Sequence, residues 1–265
     1  MTTSSDSFIR DCALVREKSP LVHCITNYVA MGINANALLA IGASPLMSFC
    51  PEEMEEIVSI SSALVVNIGC LDRHEIEGMK IAAATADRLG RPWVLDPVGA
   101  GASRIRTETS LTLIRDSHPT VIRGNASEIM CLAGQQIKSR GVDTSALSSD
   151  AVESAKALAL ASGAIVSVSG PVDYITDGVR VEKIGNGHPL MARITAMGCT
   201  ASVVTGAFIA VGEDRLLAAR NAMAVMGIAG ERAAARAAGT GSMEMHFIDE
   251  LSTYDPADYA KAIKI

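Results

Sequence analysis

The sequence predicts an α/β fold with a mostly parallel central sheet and helices on both faces. Short apolar runs ending in a polar residue beside Gly or Pro recur at 63–69 (ALVVNIG), 93–97 (WVLDP), 120–124 (TVIRG) and 164–170 (AIVSVSG). Near-continuous apolar runs of this kind are strands buried on both faces, the condition of a covered parallel sheet. Longer segments with helical spacing lie between them. Finally, hydrophobic residues make up 49% of the chain and aromatics only 3%, so the core is built from Ala, Val, Ile, Leu and Met, which suits helices laid closely on a sheet.

In chain order, the first short apolar run, 21–27 (LVHCITN), closes on Asn27, with His23 inside it read as structural. Residues 42–47 (GASPLM) end in Met47, a flexible thioether that suits either core filling or the wall of an apolar pocket. The strand at 63–69 feeds a helical pattern over 72–89, and the strand at 93–97 leads into a glycine loop, 98–101, expected to be flexible. The strand at 120–124 runs into a helix over 125–133, and a further helix over 149–161 precedes the strand at 164–170. Tyr174, then Asp177-Gly178, then 179–184 read as a hairpin, because Asp-Gly suits a two-residue turn. Two apolar helices are expected at 199–211 and 214–238.

No linker-like or low-complexity stretch divides the 265 residues, so residues 1–265 are expected to form a single domain. A chain of this length buries roughly 70–75% of its unfolded surface and needs no disulfide or structural metal to hold its core. The six cysteines are scattered, with no CxxC pair and no His spacing suited to zinc. A net charge of −6 excludes a broad polyanion-binding face, so no nucleic-acid partner is expected and any phosphate contact is local. Residues 1–12 lack the apolar segment of a signal peptide, and the longest apolar stretch, 199–212, is too short to span a bilayer. No membrane partner is expected, and the location is expected to be cytoplasmic.

In an open parallel sheet, ligands bind beyond the carboxyl ends of the strands. Those exits carry Asn67, Asp96, Arg123 with Asn125, and Ser169. Around Gly198 an apolar helix begins, and its free N–H groups and dipole make an anion site fit for a transferring phosphoryl group. Cys199 in that first turn is expected to have a depressed thiol pKa. A packed helix end with a small buried cysteine explains the same residues. Asp96 before the glycine loop is placed either to organise magnesium at nucleotide phosphates or simply to start a turn. Asn125 and Glu128 have the spacing of a capping box, while Glu128 also offers a second carboxylate and Arg123 a fork for phosphate oxygens. Ser169-Gly170 either contacts nucleotide or turns the chain, and Asn27 either offers an amide to a heteroaromatic ring or is a satisfied buried amide. His74, His118 and His246 are given no role.

Taken together, 21–27 (LVHCITN), 42–47 (GASPLM), 66–69 (VNIG), 95–99 (LDPVG), 122–129 (IRGNASEI) and Gly198-Cys199 resemble, in order and over some 180 residues, the hydroxyethylthiazole kinase family of the ribokinase-like superfamily. The resemblance implies a three-layer ribokinase-like fold, ATP as co-substrate, Mg2+, and phosphorylation of 4-methyl-5-(2-hydroxyethyl)thiazole in thiamine salvage. It also implies a homotrimer with active sites between subunits. By motif, Met47 and Asn27 would line the thiazole pocket, with Asn67 and Ala196 beside the substrate. Arg123 and Ser169, with Asn125 and Gly170, would contact ATP, Asp96 and Glu128 would organise magnesium, and Cys199 with Gly198 would carry the catalytic position. Two departures stand out. Ala196 replaces a glycine, and Ser169 replaces a threonine. The alternatives are a ribokinase-like kinase for another heteroaromatic alcohol such as a hydroxymethylpyrimidine, a hydrolase using Cys199 as nucleophile, and a non-catalytic sensor.

Overall fold

In the computed structural model, which describes residues 4–134 and 146–265, the apolar runs become the inner strands of one eight-stranded sheet. The strands are β1 (Leu21–Ile25), β2 (Ser44–Met47), β3 (Ala63–Asn67), β4 (Trp93–Asp96), β5 (Val121–Asn125), β6 (Ile165–Ser169), β7 (Asp173–Thr176) and β8 (Val181–Ile184). They lie in the order β2-β1-β3-β4-β5-β6-β7-β8, parallel as far as β6 and antiparallel across the last two pairings. Every residue of β3 and β4 is buried, as a parallel strand between two helix layers requires.

Alternation along the strands builds two cores. Val65, Val94 and Val121 pack on the face covered by α1 (Ser4–Lys18), α2 (Met31–Ile41), α8 (Met197–Val211), α9 (Arg215–Arg236), α10 (Thr240–Thr253) and α11 (Pro256–Ala262). Leu64, Val66, Leu95 and Ile122 pack on the other, under α3 (Met54–Ile60), α4 (Arg73–Arg88), α5 (Arg104–Ser117), α6 (Ala126–Leu132) and α7 (Ala146–Ser162). Helix α8 packs directly on the sheet. A Cβ added at Gly206 would come within 2.6 Å of Val65 Cγ2, so the glycine sets the contact distance.

Three local expectations change. Helix α8 starts at Met197, two residues earlier than its sequence pattern predicts, because Ala196 takes a left-handed φ of 65° and its carbonyl accepts from Thr200 N–H at 2.8 Å. The β7-β8 loop spans four residues, 177–180, instead of two. The Asp177 carboxylate accepts from the N–H groups of Val179 and Arg180, and Thr176 donates to the Arg180 carbonyl, so side chains shape the turn. The third is a set of additions: α1, α2, α3 and α5, which the helical pattern did not mark, and α10 and α11, which continue the chain as helix beyond the pattern ending at 238, with Asp255 capping α11.

Candidate active site

From β1 the chain passes to β2 on one side and then returns to β3 on the other, which leaves a crevice between the carboxyl ends of β1 and β3. The amino end of α8 comes to this crevice. Register places Asn67 beside Asp96 on neighbouring strands. The Asn67 amide donates to Asp96 Oδ2 at 2.7 Å and to Cys199 Sγ at 3.1 Å. Asn27 donates to Asn67 Oδ1 at 3.1 Å and to the same sulfur at 3.3 Å. Two amides therefore fix the thiol at the head of the helix.

Asp96 is buried, and loss of hydration pushes its carboxyl up to about 6 against the pull of Arg123 and of hydrogen bonds from Ser202 and Asn67. Cys199 departs from expectation. Its thiol is raised, first by burial and then by the Asp96 charge, with the two amides and Arg123 only partly offsetting them. The helix start that predicted a depressed pKa is outweighed by a desolvated site holding a carboxylate.

On the other side of the α8 start opens a cavity of about 690 Å³ whose walls include Arg123, Ser169, Gly170, Met197 and Gly198. Arg123 is buried and donates from Nη1 to the Gly198 carbonyl at 2.9 Å. Ser169, in register with Asn125, donates to the Gly124 carbonyl at 3.3 Å. The first N–H groups of α8, starting at Met197, have no carbonyl within the helix to bond to, and they head the boundary between cavity and crevice.

Asn125 and Glu128 form a capping box on α6, with Asn125 Oδ1 accepting from Glu128 N–H at 2.9 Å and Glu128 Oε2 accepting from Asn125 N–H at 2.8 Å. Asn125 is thus turned to its own helix and lies outside the cavity lining. The second Glu128 oxygen accepts from Gly99 N–H at 2.8 Å. The glycine loop after Asp96 is consequently tied down, with Arg106 also donating to the carbonyls of Val98, Ile68 and Gly69. Met47 ends β2 at the same carboxyl edge, paired with Cys24, and lies outside the cavity lining.

Several residues here carried no sequence signal. Ser202 donates to Asp96 Oδ2 at 2.8 Å, and its only hint is its place one turn after Gly198. Arg106, on α5, belongs to a helix that the sequence pattern did not mark. Asp173, beside the Ser169-Gly170 turn, lines the cavity. His74, given no role from the sequence, meets Cys50 and Glu52 at the surface with donor atoms within 4.8 Å of one another.

The chain resembles known proteins over nearly its whole length. The profile of the "Hydroxyethylthiazole kinase family" matches residues 12–256. A hydroxyethylthiazole kinase from Brachyspira hyodysenteriae is 49% identical over 264 residues, covering 100% of both chains. One from Leptospira biflexa is 51% identical, covering 92% of this chain and 91% of that one. Among solved structures, a hydroxyethylthiazole kinase protein from Pyrococcus horikoshii OT3 superposes with a TM-score of 0.87 at 40% identity, covering 94% of this chain and 93% of that one. The pyridoxal kinase of Staphylococcus aureus, at 17% identity and a TM-score of 0.61 over 80% of this chain and 87% of that one, shares the fold.

Proposed function

The chain belongs to the hydroxyethylthiazole kinase family, and on that premise we propose that it transfers the γ-phosphoryl group of ATP to the primary hydroxyl of 4-methyl-5-(2-hydroxyethyl)thiazole. One observation carries the assignment of sides. The start of α8 separates a cavity holding Arg123, Ser169 and Gly170 from a crevice holding Asn27, Asn67 and Cys199. Nucleotide in the first and alcohol in the second meet at the N–H groups of Met197, Gly198 and Cys199, which would stabilise the transferring phosphoryl group.

In this reading Arg123 neutralises phosphate charge, and the Ser169-Gly170 turn holds the nucleotide from above. Asn27 and Met47 border the heteroaromatic ring, and Ala196 shapes the approach to Cys199. A thiol held neutral by burial and by Asp96 orients the attacking hydroxyl instead of removing its proton. That suits phosphoryl transfer, whose loose transition state asks little of a base. It also disfavours a hydrolase, which needs the thiolate.

Asp96 and Glu128 would hold magnesium. Their oxygen chemistry fits a hard cation, and the hydrogen bonds to the Asp96 carboxylate fall on Oδ2, leaving Oδ1 without a hydrogen bond among the described residues. Glu128 spends one lone pair of each oxygen on a backbone N–H, which fits an ion that keeps much of its water. When bound, magnesium supplies neutralisation of phosphate charge. Residues 1–265 are read as one domain and as cytoplasmic from the sequence, and as a trimer because the family resemblance implies one. Among the described residues no helix is long and apolar enough to cross a membrane.

A coupled ADP-release assay with hydroxyethylthiazole, hydroxymethylpyrimidine and related alcohols tests the proposal, with phosphorus NMR on the product. The expected outcome is ADP release dependent on the thiazole alcohol and a phosphomonoester signal. Preference for the pyrimidine alcohol would reassign the substrate, and ligand binding without ADP would leave only a sensor.

A further inference from the structure

We infer that Asp173 reads the ribose of the nucleotide, accepting hydrogen bonds from its 2′ and 3′ hydroxyls and making the cavity selective for ribonucleotides. The inference rests on the nucleotide reading of that cavity. Its lining carries two chemistries. Arg123 meets Gly198 at the start of α8, the place for phosphates. Met223 and Met226, from α9, supply apolar surface on which a purine face can pack. What lies between phosphates and base is the sugar, and its polar edge consists of two hydroxyl donors.

Asp173 is the one carboxylate in the described lining. Gly170 N–H donates to its Oδ1 at 3.0 Å, which fixes the side chain against the turn that follows β6. Its Oδ2 takes no hydrogen bond among the described residues. Asp173 and Arg123 line the same cavity; loss of hydration there pushes the carboxyl up to about 6 while the guanidinium draws it down, so it is ionised at neutral pH. An ionised carboxylate is an acceptor only. It repels the phosphates and finds no donor at the ring nitrogens N1, N3 and N7 of adenine. The 6-amino group is a donor, but it lies at the end of the base away from the sugar, whereas Asp173 lies toward Arg123. The vicinal hydroxyls are the donors that fit.

Calorimetric titration with ADP, 2′-deoxy-ADP and 2′,3′-dideoxy-ADP, in magnesium buffer, tests this in the wild type, Asp173→Asn and Asp173→Ala. Hydrogen bonds to a charged acceptor are worth about ten- to a hundredfold in affinity, so the wild type should bind ADP at least about tenfold more tightly than the dideoxy form. The Asn variant keeps an acceptor for Gly170 N–H. It should bind dideoxy-ADP as the wild type does while its preference for ADP shrinks to about threefold or less. Equal wild-type affinity for all three nucleotides would overturn the inference alone. So would an equal loss for all three in both variants, which would make Asp173 a brace for the turn. Binding of hydroxyethylthiazole without binding of any nucleotide would overturn the inference together with the nucleotide reading.

Discussion

The sulfur of Cys199 accepts from two amides and lies under the charge of Asp96, and these contacts decide what it can do. A thiol with a raised pKa stays protonated at neutral pH, and thiolate forms only as pH climbs beyond the ordinary thiol range. Iodoacetamide labelling followed on the Cys199 peptide by mass spectrometry should therefore be slow at pH 7 and accelerate above about pH 9. Asp96→Asn removes a negative charge that opposes the thiolate, so it should move that rise to lower pH. Rapid labelling of the wild type at pH 7 would point to the nucleophile disfavoured above. If Cys199 only orients the hydroxyl, Cys199→Ala should lose on the order of tenfold in kcat, short of the 10²–10⁴-fold expected of a general base. Cys199→Asp should stay active, since two amide donors suit a carboxylate oxygen as well as they suit sulfur. Three residues upstream, Ala196 sits at φ 65° without the freedom of the glycine that the family resemblance puts at that place. Relief of about 1–2 kcal/mol of left-handed strain outweighs the roughly 0.4–1 kcal/mol of extra unfolded-state freedom a glycine brings. Ala196→Gly should therefore raise the unfolding free energy by about 0.5–1 kcal/mol in urea titration, with unchanged m-value.

Helix α6 is only seven residues long, so its capping box matters more than helix propensity, and the same Glu128 side chain ties the helix to the loop after β4. Glu128→Ala leaves two backbone N–H groups without their acceptor and should cost about 1–3 kcal/mol by denaturant unfolding. Glu128→Gln keeps one acceptor oxygen and should cost about half as much. If Ala and Gln variants lose magnesium-dependent turnover alike while differing in stability, the carboxylate charge acts at the site in addition to bracing it. The capping box was legible in the sequence because its two partners are three residues apart. So were β3, β4, β5 and β6, whose near-continuous apolar runs admit few other readings, and the polar residues at their exits. Contacts between distant segments were not. Ser202 reaches Asp96 across 106 positions, and a serine inside an apolar helix announces nothing until the helix is laid on the sheet. The boundary of α8 shifted for a similar reason, since nothing local marks an alanine that will adopt a left-handed backbone. The thiol of Cys199 was misjudged because the helix start is visible in sequence, whereas burial beside Asp96 is a property of the assembled site.

Across the molecule, the two cores share β1, β3, β4, β5 and β6. Leu64 and Val66 point into one while Val65 points into the other, and Leu95 and Val94 divide in the same way. Neither helix layer can leave the sheet without exposing one face of buried strands, so the layers have no independent way to unfold. At a fixed protein concentration, urea unfolding should be a single transition. The chain has one tryptophan, Trp93, at the start of β4, buried in the core under α3–α7 with its indole N–H donated to the Ser117 carbonyl at 2.9 Å. Its fluorescence reports that core, whereas far-ultraviolet circular dichroism is dominated by helices on both faces. Coincident midpoints from the two probes are expected. A fluorescence midpoint well separated from the dichroism midpoint would mean that the layers unfold separately and that the chain is more than one cooperative unit. Gly206→Ala sharpens the same test, because it presses α8 against Val65 from the face opposite the tryptophan's core. Overpacking of this kind costs about 1–3 kcal/mol, and in one cooperative unit it should lower both midpoints equally.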